Sequence, residues 1–203
     1  MTPAKRALDL VVAGALLVLL WPVIALIALA ILLREGRPVF YLAERMKTPE
    51  QGFTLIKFRT MPLGSGDGGV TGGDKSGRLS RLQRLLRRSR ADELPQLWNV
   101  TRGDISLVGP RPPLRRYVEA APELYARVLR SRPGITGLAS LSFADHEERL
   151  LAPCRSAAET DAVYRRRCVP RKAHIDLLYQ KRRNICFDLI LIGRTALRPF
   201  RRR

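Results

Sequence analysis

The sequence predicts an α/β fold, mostly α with short strands, held at a membrane by its N-terminal end. Three observations predict it. No charged residue occurs from Leu10 to Leu33. Short strand patterns and several amphipathic helical patterns follow, and no doubly wound sheet is expected. The chain carries 37 Lys and Arg against 18 Asp and Glu, a formal net charge of +19, which calls for a polyanionic partner such as an anionic membrane face, a phosphorylated substrate or nucleic acid. A length of 203 residues suits one domain with a terminal appendage, and 46% hydrophobic residues exclude disorder throughout. Cys154, Cys168 and Cys186 form no CxxC pair, so neither a disulfide scaffold nor a cysteine zinc site is expected. His146 and His174 are too scattered for a histidine metal cluster.

The first element is the apolar run. Its 24 positions would extend about 36 Å as a straight helix, enough to cross a bilayer core. It is too long for the apolar part of a cleaved signal peptide. Pro22 lies at its middle and removes one backbone hydrogen bond, so a kink is expected there. Lys5 and Arg6 precede the run, and Arg34, Arg37, Arg45 and Lys47 follow it. A spanning helix should show a basic excess on one side, whereas equal basic flanks fit a bent helix that enters and leaves by one face. Hydropathy alone leaves both readings open. Asp9, one turn after Lys5 and Arg6, is expected to pair within the helix.

Short strands are expected at 39–41 and 53–61. In the second, alternation places Phe53, Leu55, Lys57 and Arg59 on one face. Lys57 and Arg59 are therefore either solvated charges or a two-pronged phosphate clamp. Residues 64–77 hold seven glycines in fourteen positions and read as a flexible loop. Of two motif fragments there, Gly64-x-Gly66-x-x-Gly69 lacks the following helix and βαβ unit of a dinucleotide site, and Gly68-x4-Gly73-Asp74-Lys75-Ser76 is a near miss of a P-loop, with Asp74 inserted where Lys should follow Gly. Residues 78–90 carry six arginines and no acid, with Leu79, Leu82, Leu85 and Leu86 forming one helical stripe. That pattern fits a surface helix or one lying on anionic headgroups.

The chemistry begins at Asp92-Glu93-Leu94-Pro95-Gln96-Leu97. Proline is tolerated in the first turn of a helix, which places Asp92 near an N-terminus that favours its ionised form. An ordinary aspartate cap fits the same spacing. Pro110 and Pro112 flank Arg111 and restrict its backbone, which suits bidentate phosphate binding or a simple proline-rich turn. A second turn is expected at 132–137.

These motifs resemble the bacterial sugar transferases, the small monotopic phosphoglycosyl transferases that start glycan assembly on polyprenyl phosphate. The resemblance runs nearly end to end. It takes in Lys5-Arg6-x-x-Asp9, Lys57-Phe58-Arg59-Thr60-Met61, Asp92-Glu93-Leu94-Pro95-Gln96-Leu97-x-Asn99-Val100 and Gly103-Asp104-x-Ser106-Leu107-Val108-Gly109-Pro110-Arg111-Pro112. It continues through Pro133-Gly134-Ile135-Thr136-Gly137-Leu138-Ala139 to Asp176-x-x-Tyr179 and Asp188. It implies a monotopic protein with a re-entrant helix-break-helix over residues 1–36, broken near Pro22. Residues 37–203 would form a catalytic domain with amphipathic interfacial helices on the cytoplasmic face of the bacterial inner membrane. It implies that Asp92 attacks a UDP-sugar, releases UMP and holds a phosphosugar, which then passes to undecaprenyl or another polyprenyl phosphate. Glu93 would be its partner, Mg²⁺ the cofactor with Asp92 as a ligand, and Lys57, Arg59, Pro110, Arg111, Pro112 and Asp176 the substrate contacts. Anionic lipids are expected partners, nucleic acid is not, and a homodimer is left open.

The chain departs from the family pattern at Trp21 (usually Ser), Ala43 (Gln), Lys47 (Gly), Gln83 (Gly) and near Ala144 (Arg). Among competing classes, a nucleic-acid module lacks stacking residues: aromatics are 6% and none interleave the basic helix. A catalytically silent membrane scaffold is the other alternative, and it predicts that Asp92→Asn changes nothing.

Overall fold

The computed structural model describes residues 1–61 and 79–201, with side chains described to residue 197. The Gly-rich segment 64–77 and its two motif fragments lie outside the described residues. The chain opens with α1 (Pro3–Glu35), capped by the Thr2 hydroxyl. A hairpin of β1 (Phe40–Met46) and β2 (Gly52–Phe58) follows, paired antiparallel from Phe40↔Phe58 to Met46↔Gly52. Next come α2 (Arg81–Ser89), a 3-10 turn (Ala91–Glu93) and α3 (Gln96–Arg102). Strand β3 (Ser106–Val108) pairs in parallel with β4 (Gly134–Thr136), and α4 (Arg115–Ala120) and α5 (Pro122–Val128) lie between them in sequence. The rest is helical: α6 (Leu138–Ser142), α7 (Ala144–Leu151), α8 (Ala157–Val163), a π-helical turn (Tyr164–Cys168), α9 (Val169–Arg182) and α10 (Ile185–Arg201). The expected class holds: mostly helix, with two small two-stranded sheets.

The N-terminal helix runs through Pro22 as one element. A proline costs one hydrogen bond and bends a helix without having to end it. α1 is docked by a stripe of Lys5, Asp9, Ala13 and Ile31, which are buried, with Leu16, Leu17, Ile24, Ile27 and Ala28 partly covered between them. The opposite face, with Val18, Leu19, Trp21, Leu26 and Leu33, is exposed.

Both ends of α1 are fastened to the same body. At its start the Lys5 ammonium meets the buried Asp188 carboxylate, which also accepts a bond from the Tyr179 hydroxyl (2.6 Å). Arg6 donates to the Val100 and Thr101 carbonyls (2.7 and 2.9 Å), and Asp9 accepts from the Leu107 N–H (3.1 Å). Asp9 is therefore not paired with Lys5 within the helix, because each finds a long-range partner. At the far end Glu35 accepts from the Ser80 hydroxyl (2.7 Å) and the Gln83 amide (3.0 Å). The family's glycine position thus carries a tether here, and Gln83 also completes the capping box of α2.

The stretch from α2 to α3 runs antiparallel along α1. Leu82, Leu86, Ala91 and Leu94 share one apolar cluster with Ile24, Ile27, Ala28 and Ile31. Leu97 and Val100 share another with Ala13, Leu16 and Leu17. The 3-10 turn at 91–93 is thereby held beside the middle of α1. At Gly109 and Gly134 the backbones after β3 and at the start of β4 pass too closely for a side chain: a Cβ on Gly134 would lie 2.2 Å from the Gly109 nitrogen, and one on Gly109 2.2 Å from the Arg132 carbonyl oxygen.

Candidate active site

Asp92 and Glu93 sit in the 3-10 turn because α2 ends abruptly. Arg90 caps α2 in the left-handed conformation (φ 58°), which swings the chain out of the helix. The following residues resume a right-handed path through Leu94 and Pro95 into α3. With hydrogen bonds running i→i−3 through Leu94, Leu97 and Trp98, residues three apart share a face. Glu93, Gln96 and Asn99 all point inward and are buried. Asn99 clamps the helix to β2, accepting from the Ile56 N–H (3.0 Å) and donating to the Thr54 carbonyl (2.8 Å).

Glu93 is the hub. Its carboxylate pairs with Lys57 of β2 (3.2 Å), Arg111 (3.1 Å) and Arg90 (3.5 Å). Burial opposes its ionisation, but Lys57, Arg111 and Arg90 outweigh that and hold its carboxyl well below the usual range. Lys57 is itself pushed down, by burial first and by the nearby Arg111, against the pull of Glu93 and Asp92.

Asp92 differs from its neighbour. It is half-buried, and its carboxylate makes no hydrogen bond or ion pair among the described residues. Burial pushes its carboxyl above the ordinary value and Glu93 adds to the push, while Lys57, Arg111 and Arg87 pull it back. The expected helix-terminus effect is thus overridden, because Asp92 lies before α3 in a turn crowded by a second carboxylate. Two adjacent carboxyls are driven in opposite directions by their surroundings, a recurrent signature of reactive sites.

The expected substrate contacts are distributed unevenly. Lys57 and Arg111 come together at Glu93. Pro110 and Pro112 are buried and brace the segment, with the Pro110 carbonyl accepting from the Gly134 N–H (2.8 Å) and that of Pro113 from the Met46 N–H (3.0 Å). Arg59 does not share the site with Lys57. β2 stops at Phe58, so the two-residue alternation no longer applies. The Arg59 guanidinium donates instead to the Glu35 and Gly36 carbonyls (2.7 Å each), closing the C-terminal end of α1. Asp176 lies buried on α9, where it accepts from the Ala139 N–H within reach of Lys172; burial raises its carboxyl to about 7. Lys172 is paired with Glu147 (2.8 Å). Asp188 serves packing, through Lys5 and Tyr179. Two site cations were not anticipated, Arg87 and Arg90. Six arginines within residues 78–90 give no periodic signal that singles out these two; the left-handed cap marks Arg90.

Among the described residues no three His, Cys, Asp or Glu side chains converge on a metal position. Of the dyad, Asp92 makes no ion pair among the described residues, whereas Glu93 is taken up by three cations. Such a donor set fits a Mg²⁺ ion that draws most of its oxygens from substrate phosphates and water.

The bacterial sugar transferase family matches residues 1–202 of the chain. The chain belongs to that family. Similar proteins include a UDP-glucose:undecaprenyl-phosphate glucose-1-phosphate transferase of Caulobacter vibrioides, 40% identical over 141 residues that cover 68% of this chain and 53% of the relative. An uncharacterized sugar transferase, EpsL, of Bacillus subtilis is 41% identical over 138 residues, covering 68% of each. A UDP-glucose:undecaprenyl-phosphate glucose-1-phosphate transferase of Escherichia coli is 31% identical over 200 residues, 97% of this chain and 40% of the relative. The bacterial sugar transferase described here thus spans about half the length of the Caulobacter relative.

Proposed function

We propose that the chain transfers a sugar 1-phosphate from a UDP-sugar to undecaprenyl or a similar polyprenyl phosphate, releasing UMP. The observation that carries this reading is the Asp92 carboxylate, without a hydrogen bond or ion pair among the described residues, beside a carboxylate locked into three cations. Lys57, Arg87, Arg90 and Arg111 outnumber Asp92 and Glu93 by two positive charges, a complement for a diphosphate. An Asp92 oxygen attacks the β-phosphorus of the donor. The bond from that phosphorus to the bridging oxygen breaks, and UMP leaves with the oxygen and the electron pair. The product is a phosphosugar joined to Asp92 as an acyl phosphate. An oxygen of the polyprenyl phosphate then attacks the same phosphorus, frees Asp92 and gives the polyprenyl diphosphate sugar. Lys57 and Arg111 shield the entering carboxylate from phosphate charge, and Arg87 favours the ionised Asp92. A carboxyl held as low as Glu93 carries no proton near neutrality, so its role is to orient cations. Mg²⁺ held by Asp92 and the diphosphate would supply further charge neutralisation. Relatives named for glucose and for N-acetylgalactosamine transfer both align, which supports the reaction class and not one sugar.

The acceptor requires a membrane, and α1 is long and apolar enough to cross one. A straight helix of 33 residues would extend about 50 Å. Its two ends are nevertheless tied by buried polar contacts to one body, which supports a re-entrant placement with both ends on one side. A UDP-sugar donor puts that side on the cytoplasmic face of the inner membrane.

The test is UMP release from UDP-glucose and UDP-N-acetylgalactosamine in nanodiscs with undecaprenyl phosphate and Mg²⁺. The parent should release UMP and Asp92→Asn should not. Incubation with donor alone should add one phosphosugar mass to the parent chain. A well-folded parent without UMP release would overturn the reading, and an active Asp92→Asn would overturn the covalent step.

A further inference from the structure

A second charged cluster, outside the dyad, reaches Arg111. Lys172 of α9 is buried; its ammonium pairs with Glu147 of α7 (2.8 Å) and donates to the Tyr164 hydroxyl (3.3 Å). The backbone brings these groups together. Tyr164 opens the π-helical turn, and Lys172 follows eight residues later. In an unbroken α-helix residues eight apart stand about 80° apart around the axis. The wider π turn lessens that angle, and the two side chains meet. The Tyr164 ring also packs on Tyr117 (5.2 Å), whose hydroxyl donates to Asp161 (2.6 Å). Glu147 has no other side-chain partner than Lys172 among the described residues. Arg111, by contrast, is 40% exposed along its side chain and gives only one nitrogen to Glu93 (3.1 Å). Its other guanidinium N–H groups make no hydrogen bond among the described residues. Glu93 does most to favour the Arg111 charge, and Tyr164 and Glu147 add to it. Burial opposes the Lys172 charge, Tyr164 and Glu147 support it, and Arg111 opposes it in turn.

Two carboxylates thus act on one guanidinium. Glu93 holds it by contact, while Glu147 acts on it from further off and is spent on Lys172. A half-buried carboxylate stripped of its cation takes another where one is in reach. Arg111 has free N–H groups with which to answer, in the fork geometry that suits a carboxylate and a phosphate alike. We propose that Lys172 is a positioning residue for the donor. By neutralising Glu147 and engaging the Tyr164 hydroxyl, it keeps the remaining N–H groups of Arg111 open for a phosphate of the donor diphosphate. The proposal rests on the UDP-sugar reading given above and adds to it a residue that touches neither the dyad nor the substrate.

UDP is the probe, because it carries the diphosphate and binds without turnover. Titration calorimetry on the full chain in nanodiscs, with Mg²⁺, gives its Kd. Lys172→Met should raise that Kd about tenfold, the loss of one charge-assisted phosphate contact. Glu147→Gln should stay within about twofold of the parent, and the double variant Lys172→Met/Glu147→Gln should return to the same level. Thermal unfolding of each variant is measured alongside. A Lys172→Met protein with a lower Tm and parental UDP affinity would overturn the proposal and leave Lys172 a packing role. A double variant that binds UDP as weakly as Lys172→Met would overturn it as well. If Lys172→Met does not fold, Lys172→Gln, which keeps a donor for Glu147 without the charge, carries the same expectation. A parent that binds UDP but releases no UMP would overturn the transfer reading and leave this one standing. A parent that binds no UDP would overturn both.

Discussion

Replacing Asp176 by Asn tests the polar interior beneath the site. Burial lifts this carboxyl from 3.8 to about 7, against the opposing pull of Lys172 and the Ala139 N–H. The folded state thus prefers the protonated form. Below the unfolded pKa the group makes no pH-dependent difference. As pH rises from about 4 to about 7 the unfolded chain ionises freely and the folded one does not, so stability falls. The full shift, about 3 units, corresponds to about 4 kcal/mol lost above pH 7. At pH 5 about a third of that is already lost, from the distance between 5 and 3.8. Asn keeps the size and an acceptor for Ala139 but cannot ionise. Its advantage over the parent should therefore grow by about 2–3 kcal/mol between pH 5 and pH 8. For a chain of this size that is about 5–10 °C in Tm. Thermal melts of both proteins in one detergent, at pH 5 and pH 8, measure it. A gap that does not change with pH would refute the reasoning. A parent more stable than the variant at pH 8 would show an ionised Asp176 paired to Lys172.

Other perturbations separate the site's parts. Glu93→Gln removes a like charge from Asp92 and releases Lys57, Arg111 and Arg90 toward it, so the acid limb of the kcat/KM profile should move to lower pH. Arg87→Leu removes an attraction and should move it to higher pH; shifts in the same direction for both variants would contradict the assigned field. Arg59→Met leaves the last carbonyls of α1 without donors and should lower stability by about 1.5–3 kcal/mol, read by thermal unfolding. An Arg59→Met protein of parental stability would show that this capping contributes nothing. Gly134→Ala places a Cβ 2.2 Å from the Gly109 nitrogen and should prevent recovery of folded protein, judged by size-exclusion chromatography and circular dichroism.

What the sequence shows and what it hides divide along one physical line. α1 and α2 are legible because their signals are local: an uncharged run and a leucine stripe. The candidate site is legible in so far as Asp92, Glu93 and the Pro110–Pro112 segment fall in ordered motifs, and Glu93 meets Lys57 and Arg111. Partners of buried charges are not local. Lys5 finds Asp188 across 183 residues, and Asp9 finds the Leu107 N–H across 98. A helical pairing of Lys5 with Asp9 is the obvious local guess and it loses, because β3 presents an unbonded N–H at that point. Arg59 misleads for a different reason. Alternation along a strand is sound only while the strand lasts, and β2 ends one residue earlier. Arg90 is hidden because its left-handed backbone is imposed by the turn rather than advertised by a glycine.

The antiparallel run of residues 80–101 beside α1 makes that helix a ruler. Its notches are Glu35 against Ser80, the cluster of Ile24, Ile27, Ala28 and Ile31 with Leu86 and Leu94, that of Leu16 and Leu17 with Leu97, and Arg6 against Thr101. Asp92 falls between the second notch and the third in sequence. Removing one residue between Leu17 and Ile24 would turn the two halves of the stripe about 100° out of phase. The turn holding Asp92 would then lose one of its two gauges, although every residue of the reactive centre would remain in place. The position of the turn along α1 is thus encoded in the spacing of an apolar helix that contributes no side chain to it.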